Sequence, residues 1–78
     1  RLKKESLEAL QKRVAQIEES ITDTEKAIAD MEKRMADPDT YRDAENAASL
    51  ARAHRDAQAR LADLYEDWEE AEEAASQA

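Results

Sequence analysis

Ala36-Asp37-Pro38-Asp39-Thr40-Tyr41 is where the backbone of this chain has to break. The segment holds the only proline of a 78-residue sequence that has no glycine. An apolar rhythm runs up to it and a second one runs away from it. Proline donates no N–H, and its ring clashes with the carbonyl four residues back, so a helix arriving here stops. Asp37 can cap a new helix whose first residue is Pro38, since the missing N–H would have no partner there anyway. Asp39 would face the positive end of the new helix dipole and is the alternative cap. Either cap gives two helices joined by a hinge.

Upstream of the hinge the apolar positions are Leu7, Leu10, Val14, Ile17, Ile21, Ile28, Met31 and Met35, with Thr24 in the same series. The steps alternate three and four, which is a heptad seam with one polar member. Leu7, Val14, Ile21, Ile28 and Met35 are its a positions; Leu10, Ile17, Thr24 and Met31 are its d positions. Downstream the alternation returns as Ala47, Leu50, His54, Ala57, Leu61, Leu64, Trp68, Ala71 and Ala75. The spacing predicts one helix over about 5–36, a turn over about 37–39, and a second helix over about 40–75. At 1.5 Å per residue the first would be ~48 Å long.

So short a connection makes neighbouring helices run antiparallel. The predicted fold is therefore all-α, a single two-helix antiparallel coiled-coil hairpin spanning 1–78, monomeric because its seam closes within one chain. A register in which facing residue numbers add to 78 sets the a residues Leu7 to Ile28 opposite d residues of the other helix and frays at the tip, where Met35 would face Asp43. It pairs Leu10 with Trp68, Val14 with Leu64, Ile17 with Leu61, Thr24 with His54 and Ile28 with Leu50. It also brings Lys4 near Glu72, Arg13 near Asp67, and Leu7 onto Ala71. At the tip, Tyr41 is expected to lie over Met35 with its hydroxyl in water.

Composition supports this picture and narrows the function. A chain with 41% charged and 4% aromatic residues cannot enclose a globular core, and its bias toward alanine and charged residues suits long helices. No cysteine is present, which rules out disulfides and thiolate metal sites and fits a reducing compartment. No run is apolar enough to span a membrane, so a cytoplasmic location is expected. The start, Arg1-Leu2-Lys3-Lys4, reads as a cut within a longer protein.

Candidates for chemistry are few. His54 is the only histidine, and residues one turn away on its helix, Leu50 and Gln58, offer no second catalytic or metal-binding group. It fits better as a polar layer with Thr24 that fixes register. There is no phosphate loop, no nucleophile–base pair and no metal constellation, so this stretch is expected to be neither an enzyme nor a cofactor carrier. The net charge of −8 hides a gradient. From Asp63 to Glu73 there are seven acids and no base, whereas bases and acids nearly balance between Lys26 and Arg60. Lys26, Lys33, Arg34, Arg42, Arg52 and Arg55 fall on outward positions of the hinge half and are candidate phosphate contacts. Solvated helix faces are the plain alternative. No aromatic ladder is available for stacking on bases, so sequence-specific readout is not expected.

Two stretches carry a family resemblance: Met35-Ala36-Asp37-Pro38-Asp39-Thr40-Tyr41-Arg42-Asp43 and Leu61-Ala62-Asp63-Leu64-Tyr65-Glu66-Asp67-Trp68-Glu69-Glu70. Together they resemble the C-terminal coiled-coil domain of ABC-F ATPases of the Uup type, in which a heptad helix ends in an ADP…Y turn and the returning helix carries LY…WEEL. Ala71 stands where the family often has leucine, a change expected to loosen the open end. The resemblance implies a parent with two ATP-binding cassettes that use ATP and Mg²⁺, acts on ribosomes, and has a tail associated with nucleic-acid binding. It implies packing roles for Tyr41 and Trp68. The partner would be DNA or ribosomal RNA; the alternative is a protein–protein arm docking on a ribosomal protein or on the parent's cassettes.

Overall fold

The computed structural model describes residues 6–78. Ser6 opens the first helix: its extended backbone precedes Leu7, and its hydroxyl accepts from the Ala9 N–H at 3.1 Å. Such a cap satisfies one of the N–H groups that the first turn leaves without a partner. The helix, α1, runs Leu7–Met35. Glu5, the expected start, lies outside the described residues.

The hinge is longer than its sequence suggests. Pro38–Arg42 forms a 3₁₀ turn, and the second helix, α2, begins only at Ala44 and runs to Gln77. Asp37 does act as a cap with Pro38 behind it, its carboxylate accepting from the Asp39 N–H at 3.0 Å. What it caps is the 3₁₀ turn. The cap of α2 is Asp43, whose carboxylate accepts from the N–H groups of Glu45 (3.0 Å) and Asn46 (3.3 Å).

The 3₁₀ turn also closes the C-terminal end of α1. The last four carbonyls of a helix have no partner within it. Thr40 donates its hydroxyl to the Arg34 carbonyl and Tyr41 donates its own to the Met35 carbonyl, both at 2.5 Å. Tyr41 is thereby tied to the Met35 end through its hydroxyl, while the residue as a whole stays 58% exposed. Ala36 keeps a right-handed backbone (φ −82°, ψ −13°), and no described residue has positive φ. A turn built this way does not need the glycine that commonly ends a helix.

The two helices pack against each other in antiparallel contact, forming a rod 59 Å long. Its buried residues are Leu10, Val14, Ile21, Leu50, Leu64 and Ala71, all from the heptad seam. Fully burying a leucine, isoleucine or valine contributes roughly 1.5–3 kcal/mol, so these layers supply most of the drive to pair. Ile17, Ile28, Met31, Met35, His54, Leu61 and Trp68 are half-buried along the same stripe. Leu7 is the exception among the seam residues, at 45% exposed.

Leu7 points to a corrected register. Three side-chain hydrogen bonds cross the seam, joining Trp68 to Glu18, Tyr65 to Glu25 and His54 to Glu32. Their residue numbers add to 86, 90 and 86 instead of clustering about 78. Side chains lean toward the N-terminus of their own helix, which accounts for only part of the excess. The helices are thus displaced by about one heptad, a slip that still sets a positions opposite d positions. Trp68 lies toward Ile17 and Glu18 and not against Leu10, and Leu7 meets the end of α2, where little covers it. Ala71 is only 1% exposed, so the position where the family often has leucine is fully covered by α1. Lys4 lies outside the described residues, and Arg13 and Asp67 do not form an ion pair with each other.

Candidate functional site

Glu18, Glu25 and Glu32 recur at seven-residue spacing on the e flank of α1, so one side of the seam carries a carboxylate in each of three heptads. Each accepts from a ring on α2: Trp68 Nε1–H to Glu18 at 3.0 Å, Tyr65 O–H to Glu25 at 2.9 Å, and His54 to Glu32 at 3.0 Å. A carboxylate can only accept, so His54 carries its proton on Nε2. The His54 side chain is 14% exposed and that of Glu32 is 56% exposed. His54 thus bridges the two helices as a polar member of the seam, with Glu32 and not Thr24 as partner. Thr24 turns its hydroxyl back onto the Ser20 carbonyl of its own helix at 2.7 Å.

The Tyr65 phenol is held above its ordinary value of 10.0, first because its proton is shared with Glu25, then by partial desolvation and by the negative charge of that carboxylate. Donation to a charged acceptor favours the neutral phenol. The row was visible in the sequence as Glu18, Glu25 and Glu32. What hid it was the reading of Trp68 as a packing residue and of His54 as the partner of Thr24, with no role given to Tyr65.

Lys26, Lys33, Arg34, Arg42, Arg52 and Arg55 are all exposed. They do not share one face. Lys26 and Lys33 occupy the back of α1, Arg52 the back of α2, and Arg34 the flank opposite the glutamate row. Arg55 lies toward the glutamate side, and Arg42 sits in the 3₁₀ turn. Arg42 is paired with Asp39 at 3.2 Å, both groups largely in water (83% and 69% exposed), and Arg52 donates to the Ser49 hydroxyl at 3.2 Å. Lys26, Lys33, Arg34, Arg52 and Arg55 make no ion pair with another described residue. Lys33 and Arg34 also occupy the last turn of α1, where positive charge suits the helix dipole.

The acids Asp63, Glu66, Asp67, Glu69, Glu70, Glu72 and Glu73 are exposed as well. Among the described residues no three His, Cys, Asp or Glu side chains converge as a metal site would require. No described helix is long and apolar enough to cross a membrane.

No curated protein and no solved structure gave a significant match. A protein-family model described as the ABC transporter C-terminal domain matches residues 4–73, a span that takes in α1, the hinge and nearly all of α2. The chain belongs to the ABC transporter C-terminal domain family, as a non-catalytic accessory domain folded into a helical hairpin.

Proposed function

We propose that this hairpin is the accessory arm of an ABC-F ATPase of the Uup type and binds DNA or ribosomal RNA without sequence specificity. The observation that carries the reading is the charge arrangement of the hinge half. Five exposed bases there make no ion pair with another described residue, while the acids in excess lie toward the far end of α2. Two neighbouring acids, Glu25 and Glu32, are engaged by rings of α2. Such bases can displace counterions from a phosphate backbone. Lys33, Arg34 and Arg42 are the three nearest the tip.

Reversing Lys33, Arg34 and Arg42 together to glutamate should weaken binding to both DNA and RNA in gel-shift titrations. At two salt concentrations the slope of log K against log salt should flatten by about one unit for each phosphate that is no longer neutralised. A reversed variant that binds like the unaltered chain removes the basis for this surface.

The exposed acids between Asp63 and Glu73 support a second reading, an arm that docks on a basic protein or on the parent's cassettes. Capture of such a partner that survives nuclease treatment would favour it.

A further inference from the structure

On the flank opposite the glutamate row, a groove of about 390 Å³ lies between the end of α1 and the start of α2. Met31 and Leu50 give it an apolar floor, and Arg34, Asn46 and Ser49 stand at its edge. None of its lining residues is acidic, although 20 of the 78 residues of the chain are aspartate or glutamate. Ser49 accepts from the Arg52 guanidinium at 3.2 Å, which places a second positive group near the edge. The groove is open and mostly polar, with a small apolar strip at its base, so any ligand is held chiefly by the polar and charged groups of its rim. Two guanidinium groups without a competing carboxylate add a requirement for negative charge on that ligand.

The geometry points to a seat for one unpaired nucleotide, its base over the half-buried Met31 and its phosphate between Arg34 and Arg52. Asn46 carries both a donor and an acceptor and can meet the edge of any base, so the seat discriminates little among sequences. A base inside a continuous duplex cannot enter such a groove, whereas a bulged or flipped-out base can. This inference rests on the nucleic-acid reading above and adds a substrate class to it: strands interrupted by an extrahelical nucleotide are preferred over continuous duplex.

Fluorescence anisotropy titrations of the chain with three duplexes of one sequence test it. The first is continuous, the second carries one extrahelical adenosine, and the third carries an abasic residue at that place. The extrahelical adenosine should tighten binding by roughly threefold to fivefold over both others, as the small apolar area it covers predicts. Ala53→Met narrows the groove from an exposed helical position without changing charge. It should abolish that preference while leaving the affinity for continuous duplex unchanged. Equal affinities for the three duplexes overturn the seat but spare the phosphate surface, as does an Ala53→Met variant that keeps the full preference. Absence of binding to all three overturns the nucleic-acid reading and the seat together.

Discussion

The hydroxyls of Thr40 and Tyr41 are predicted to hold the hinge shut, and Thr40→Val with Tyr41→Phe removes both while keeping the shape of each side chain. The Arg34 carbonyl would still accept from the Asp37 N–H at 3.2 Å, but the Met35 carbonyl would be deprived of its Tyr41 donor. An intramolecular hydrogen bond contributes about 0.5–1.5 kcal/mol net. Water can reach both carbonyls, since Tyr41 is 58% exposed, so the lower half of that range applies to each bond. The double variant should therefore be destabilised by about 1–2 kcal/mol. For a domain of this size each kcal/mol lowers Tm by roughly 4–8 °C, which thermal melts followed by circular dichroism resolve easily. Hydrogen exchange should locate the effect, with weaker protection of amides at the end of α1 and unchanged protection around Ile21 and Leu64. A double variant that melts within about 1 °C of the parent chain, with unchanged exchange near Ala36, would refute the capping role.

Other expectations follow from the seam and its glutamate row. Ala71→Leu places a larger side chain in the most buried position of the seam and should destabilise by about 1–3 kcal/mol; a higher urea midpoint would mean that room exists there. In a Tyr41→Phe background Tyr65 is the only tyrosine, and Glu25→Gln should bring its absorbance titration down toward pH 10. Because the folded value is raised, stabilisation from this bond is full below pH 10 and fades as pH climbs through the folded value. A quencher attached through Glu18→Cys should dim Trp68 fluorescence more than one attached through Glu8→Cys; the opposite order would restore the register whose numbers add to 78.

The seam was legible in the sequence because strict three-four spacing leaves one stripe per helix to bury, and of its members only Leu7 is largely exposed. The hinge was legible in Pro38. Register was not, since a shift of seven residues maps a heptad seam onto itself and returns a positions to d positions. The discriminating contacts lie beside the seam, where Glu18, Glu25 and Glu32 meet three rings of α2. Helix patterns also place caps poorly here: Asp37, Asp39 and Asp43 are all chemically able to start α2. Only the 3₁₀ turn between them selects Asp43. For the basic residues, outward heptad positions were enough to predict exposure, but their distribution over several faces became plain only with the helices in place.

The glycine-free hinge has a mechanical consequence. With every backbone angle there on the negative side of φ, and with proline fixing one of them, the elbow has few alternative shapes into which it could relax. Force on the tip of this 59 Å rod is then not absorbed by bending there and travels along the paired helices. The hairpin can act as a strut, turning contact at one end into displacement at the other.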